Sequence, residues 1–134
     1  MVHPIENVEG LNESNAMLWR IASGEAPLPV ARVPFWIDVR DLANAHVQGL
    51  FKQEAKNGRY TPSSPERFTY GLAAKIMAEA FLDLKDRITI EEQPCDQTYG
   101  LDGEAASKEL NFEYHSFKDT VRDLITQILE MNRA

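Results

Sequence analysis

At 134 residues the chain is one domain's worth, enough for a modest core and too short for two lobes. A net charge of -7 leaves no basic surface to neutralise phosphates, so neither nucleic acid nor an anionic membrane is expected as a partner. The single cysteine, Cys95, cannot close an internal disulfide, which suits a reducing, cytoplasmic setting, and no apolar run approaches a membrane span.

The first ten residues are polar and irregular, with neither the basic nor the apolar stretch of a signal peptide. Leu11 to Ser23 reads as a helix, capped by Asn12 and ended by Gly24 in a left-handed turn. Residues 25–33 contain Pro27 and Pro29 and read as a loop. Phe35-Trp36-Ile37 is short, bulky and apolar, the signature of a strand.

Asp38 then caps a second helix, with Asp41 completing a capping-box-like pair. Val39, Leu42, Ala43, His46, Val47, Leu50 and Phe51 form one apolar stripe at helical spacing, and the helix should fade near Glu54 and stop by Asn57-Gly58. His46, lying on that stripe, reads as a packed structural histidine.

Arg59-Tyr60-Thr61 is a second expected strand, closed by Pro62-Ser63-Ser64-Pro65. Thr69 caps a third helix whose stripe is Leu72, Ala73, Ile76, Met77, Ala80 and Phe81. Arg87 to Glu92 alternates weakly enough for a further short strand, and 93–101 is loop-like. Asp102 opens a short helix to Leu110, with Asn111 tolerating the left-handed position at its end. Ser116 and Asp119 pair as the cap of the last helix, where Phe117, Val121, Leu124, Ile125, Ile128 and Leu129 give the cleanest amphipathic pattern in the chain. The pattern predicts one α+β domain over residues 1–134, with about five helices and a small sheet of two or three short strands.

Chemistry-bearing motifs are sparse. The glycines stand at 10, 24, 49, 58, 71, 100 and 103, and none makes the GxGxxG turn that brings backbone close to a pyrophosphate. His3, His46 and His115 are too scattered for a metal site, and Cys95 has no CxxC partner. Cys95 with His115 is conceivable as a nucleophile and base, but sequence supplies no geometry for it. Asp38, Arg40 and Asp41 read as caps and local ion pairs.

Three ordered segments carry a family resemblance. The run from Arg32 through Pro34-Phe35-Trp36-Ile37-Asp38-Val39-Arg40-Asp41 to Leu50 resembles the late strand-to-helix junction of extended short-chain dehydrogenases/reductases. More narrowly, it is similar to the dihydroflavonol-reductase-like carbonyl reductases common in fungi. The likeness continues through Gly58-Arg59-Tyr60 and Pro62 to Thr69, and ends in Ser107-Lys108-Glu109-Leu110-Asn111-Phe112-Glu113-Tyr114 with Thr120-Val121. Asn111 stands where that family usually has glycine, a swap the same backbone turn accepts.

The resemblance implies the helix-rich, C-terminal, substrate-side half of such a reductase, with its nucleotide-binding front half missing. Only 33 residues precede Pro34, and Val2-His3-Pro4 resembles an internal stretch of the family, so Met1 reads as a mid-chain methionine. The family's proton donor is a tyrosine four residues before a lysine on one helix, where the lysine lowers the tyrosine pKa. Tyr114 and Lys118 have that spacing, but Tyr114 precedes the expected cap at Ser116, so the pair would not share a helical face. No catalytic residue, cofactor site or metal site is assigned to this chain alone. NADP(H) would enter only as part of a longer reductase.

In the resembled family this half lines the substrate pocket, which makes Trp19, Trp36, Tyr60, Tyr99 and Tyr114 the candidates for contacting a ketone- or aldehyde-like ligand. Core roles for Trp36 and Tyr60, and surface or interface roles for the others, stand beside that reading. Three functions stay open: the substrate-binding half of an NADP(H)-dependent carbonyl reductase of small-molecule, perhaps secondary, metabolism; a cofactor-independent isomerase or cyclase using the same pocket; and a non-catalytic partner of a related reductase. Strands stripped of their sheet would leave open edges and apolar faces, so a homodimer or association with a related reductase is expected.

Overall fold

The computed structural model describes residues 7–53 and 57–132; His3 and the other residues of 1–6, and Glu54, where the second helix was expected to fade, lie outside them. Five α-helices follow one another: α1 (Glu13–Ser23), α2 (Val39–Phe51), α3 (Tyr70–Ala80), α4 (Gly103–Leu110) and α5 (Phe117–Met131). Short 3-10 turns lie at Val8–Gly10 and Leu82–Arg87.

Each α-helix starts where a side chain can take up an orphan backbone N–H. Asn12 accepts from Asn15, Asp38 from Arg40, Thr69 from Leu72, Asp102 from Ala105 and Ser116 from Asp119. Two ends use the left-handed region, Gly24 at φ 92° and Asn111 at φ 57°. Asn111 thus does the work that glycine would do in the same turn.

The expected sheet is not there. Among the described residues no strand forms, and the fold is all-helical rather than α+β. A strand is defined by a partner's ladder, and the candidate segments find only isolated bonds. Ser64 N donates to Trp36 O at 2.9 Å and Phe68 N to Pro34 O at 3.2 Å. The facing segment carries Pro62 and Pro65, which have no N–H to extend the ladder. Residues 59–61 and 88–92 are likewise irregular.

Apolar packing divides in two. The larger core joins α1, α3, α5 and the 82–87 turn through Ile21, Ala22, Ala73, Met77, Leu84, Val121 and Ile125. The smaller one holds α2 against α4 through Ala45, Leu110 and Phe112, with Tyr60 and Tyr114 packed on it.

α2 does not face the way its apolar stripe suggests. Its buried residues are Asp41 and Ala45, while Val39, Val47, Leu50 and Phe51 are exposed. His46 is exposed as well, its Nδ1 2.7 Å from Leu42 O within the same helix, rather than packed in a core. Asp41 closes no capping box; its oxygens go elsewhere, as described below.

Residues 88–102 form no helix, yet two side chains fasten them. Gln93 accepts from Gly71 N at 3.0 Å and donates to Pro29 O at 2.9 Å. The Arg67 guanidinium donates to Asp96 O and Tyr99 O and lies 5.6 Å from the Phe35 ring centroid.

Candidate functional site

The densest polar chemistry lies where the N-terminus of α2 meets the start of α5. Asp38, 3% exposed, is clasped by Arg40, whose Nε and a terminal nitrogen donate to its two oxygens at 2.9 and 2.7 Å. Thr120 Oγ1 donates to the same carboxylate at 2.6 Å, and Arg40 reaches on to Asp123 at 2.6 Å. Burial alone would push the Asp38 carboxyl up, but the bonds from Arg40 and Thr120 outweigh it and hold the group well below the usual carboxylate range. The bond from Asp38 in turn raises the Arg40 guanidinium further, despite its partial desolvation, with Asp123 adding to the effect. These groups tie α2 to α5.

Asp41, also 3% exposed, makes a second tie. His115 N donates to its Oδ2 at 2.8 Å, and His115 Nδ1 lies 2.5 Å from its Oδ1. A carboxylate only accepts, so the proton on Nδ1 points at Asp41, and the half-exposed ring turns its Nε2 away from that bond. Beside it, Tyr114 OH donates to Gly103 O at 2.8 Å and accepts from Ser63 N at 3.3 Å. Burial pushes the Tyr114 hydroxyl up, with Asp41 and Asp102 adding to it and the Ser63 N–H opposing. A raised phenol holding the Gly103 carbonyl is a pin on the start of α4, whereas a proton donor activated by lysine needs the opposite shift. Lys118 is on α5, and Tyr114 lies before that helix begins.

The five aromatic candidates do not converge. Trp19 and Trp36 pack on the larger core; Trp36 Nε1 donates to Glu66 O at 2.9 Å and its ring meets Phe117 edge-on at 5.0 Å. Tyr60 and Tyr114 come together on the smaller core, and Tyr60 lines a hollow of about 210 Å³ with Arg59, Asp102 and Glu109. Tyr99 is on the surface, edge-on to Phe35 at 5.3 Å. Cys95 and His115 have separate partners, Asp96 O and Asp41.

The described residues also form two larger open grooves. One, of about 810 Å³, is lined by Met17, Val30, Arg32, Val33, Phe35, Phe68 and Tyr70. The other, of about 590 Å³, runs between α3 and residues 90–93. Both are of ligand size. Phe35, Phe68 and Tyr70 are not among the ligand-contact candidates that the sequence offers, where Phe35 reads as part of a strand and Phe68 as a staple at the start of the third helix.

Among the described residues, neither of these grooves has the glycine cradle of a dinucleotide. A Cβ on Gly103 would stand 1.7 Å from Ser63 O, and one on Gly71 would stand 2.2 Å from Glu91 O. The space these glycines leave is filled by the chain's own backbone, so their residues do not fit a pyrophosphate. Among the described residues no cluster of His, Cys, Asp and Glu could hold a metal, and no helix is long and apolar enough to cross a membrane.

The helical architecture matches part of solved reductase structures. The chain is similar to part of fungal oxidoreductases and reductases, in agreement with its resemblance to the C-terminal portion of an extended short-chain dehydrogenase/reductase. It is 33% identical over 137 residues to an uncharacterized oxidoreductase of Schizosaccharomyces pombe, covering 96% of this chain and 38% of that protein. It is 30% identical to the ketoreductase azaE of Aspergillus niger, covering 94% of this chain and 39% of that protein. The crystal structure of Gre2 from Candida albicans superposes with a TM-score of 0.79 at 29% identity, covering 91% of this chain and 38% of that one. The NADPH complex of the same protein gives 0.78. No family model matches the chain. The chain thus spans about two-fifths of the length of the curated relatives it matches.

Proposed function

We propose that this chain is the substrate-side portion of an NADP(H)-dependent carbonyl reductase acting on a ketone or aldehyde of small-molecule metabolism, and that alone it does not transfer hydride. The supporting observation is the combination of two facts. Nearly the whole chain aligns with ketoreductase and Gre2 sequences and folds, yet it spans under two-fifths of their length, and its own glycines form no nucleotide turn. Binding and orienting the cofactor is most of what a protein adds to hydride transfer. The open groove containing Phe35, Phe68 and Tyr70 is of a size to take a small apolar carbonyl compound and offers it aromatic walls. NADPH titration by fluorescence, together with NADPH oxidation against a panel of ketones and aldehydes, tests this. We expect no saturable binding and no ketone-dependent rate; stoichiometric binding with turnover would refute it.

A second reading rests on the Asp41–His115 pair. A buried carboxylate holding Nδ1–H leaves the opposite ring nitrogen as a base, the arrangement a cofactor-independent isomerase would need. Solvent-deuterium incorporation into an enolisable ketone, lost in His115→Gln, would favour it. No exchange above the buffer rate would remove it. Cytoplasmic residence and self-association belong to the same proposal; light scattering at micromolar concentration checks the latter.

A further inference from the structure

We propose that the groove of Phe35, Phe68 and Tyr70 selects a carbonyl compound that also carries a carboxylate, an aryl oxo acid. Arg32 pairs with the carboxylate, and the Tyr70 hydroxyl donates to the ketone oxygen. The inference rests on the substrate-side reading above and names the substrate class for that surface.

The walls decide the body of the ligand. Phe35, Phe68 and Tyr70 are each only partly buried and line the opening, and the Phe68 and Tyr70 rings meet edge-on at 5.5 Å. Rings set at right angles offer a face and an edge to a flat apolar guest. Val30 and Val33, both exposed, continue the apolar wall.

Two polar groups of the same lining have nothing of the chain's own to bind. Arg32 is the cation of this lining; it is exposed and makes no hydrogen bond or ion pair with a described residue. A free guanidinium fork matches a carboxylate in shape as well as charge. The Tyr70 hydroxyl has no described hydrogen-bond partner either. Burial and the Glu13 carboxylate push it up, so it remains a donor at neutral pH. Glu13 lines the groove without pairing with Arg32, so the two charges stand apart. That polarity orients a guest: its acid end goes to Arg32, and its neutral ketone lies toward Tyr70, where Glu13 would repel a second carboxylate.

The test titrates the 134-residue chain by calorimetry with benzoylpropionate and with its methyl ester, which share the aryl ketone and differ in charge. The acid should bind at least about tenfold more tightly than the ester, and only the acid's affinity should fall as sodium chloride is raised. Arg32→Met keeps the apolar stem and should bring the acid down to the ester's affinity. Tyr70→Phe should weaken both ligands by one common factor. Arg122→Met, whose partner is Asp119 on α5, should change neither. Circular dichroism checks that the variants fold. Equal binding of acid and ester, or acid binding indifferent to Arg32→Met, overturns the proposal and leaves the groove as a substrate surface. Tyr70→Phe binding both ligands as before overturns the tyrosine's part in it. Binding of neither ligand overturns the proposal together with the groove. Ketone-dependent NADPH oxidation is read separately: turnover alongside Arg32-dependent acid binding keeps the specificity and refutes the reading that the chain alone transfers no hydride.

Discussion

Along α5, Phe117, Val121, Leu124, Ile125 and Ile128 are all buried, whereas along α2 Val39, Val47, Leu50 and Phe51 are all exposed. The two helices have similar length, and both carry apolar residues at helical spacing, more cleanly along α5. What separates them is the means by which each is held. α5 is held by its apolar stripe, packed on α1 and α3. α2 is held at its first turn by Asp38, Arg40 and Asp41, and further along by Ala45 in the small core. Periodicity announces that a helix has a face to cover; it does not say which neighbour covers it.

The comparison can be broken most sharply in α5. Ile125→Ala, at a fully buried side chain, should cost about 3–4 kcal/mol in urea unfolding, the usual range for a core truncation. A loss below about 1 kcal/mol would mean the α5 packing is not what holds the domain. Next comes the polar anchor of α2. Asp41→Ala removes the acceptor of two bonds to His115 and should cost about 2 kcal/mol by the same measurement.

Asp38 adds a pH signature. Its folded pKa lies below the unfolded value, so its stabilisation is present above about pH 4 and is lost as the pH falls further. Asp38→Asn should therefore flatten the acid limb of a stability-against-pH curve and lower the neutral plateau. An unchanged acid limb would show that other carboxylates govern it. The smallest effect belongs to the exposed stripe. Val47→Glu should shift the unfolding free energy of the free chain by no more than about 0.5 kcal/mol. A larger loss would mean α2 is covered in the isolated protein.

Local chemistry was well legible in the sequence. The caps at Asn12, Asp38, Thr69, Asp102 and Ser116, and the left-handed ends at Gly24 and Asn111, depend on neighbours within a few residues, and all are present. The strands failed because a strand needs a distant partner, and Phe35-Trp36-Ile37 meets a proline-broken segment instead. The Asp41–His115 pair joins residues 74 apart, and spacing at that range carries no signal. The groove of Phe35, Phe68 and Tyr70 is likewise assembled by the fold, so aromatic type alone pointed to Tyr60 and Tyr99 as readily.

Arg67 holds the 96–99 stretch by its main-chain carbonyls, not by its side chains. A clamp of that kind is indifferent to spelling. Gln97, exposed and without such a contact, can be rewritten while the loop keeps its position, provided Arg67 and the Gln93 fastening stay. For anyone wishing to vary the chemistry of this surface, the loop is a cassette with its mounting points already installed.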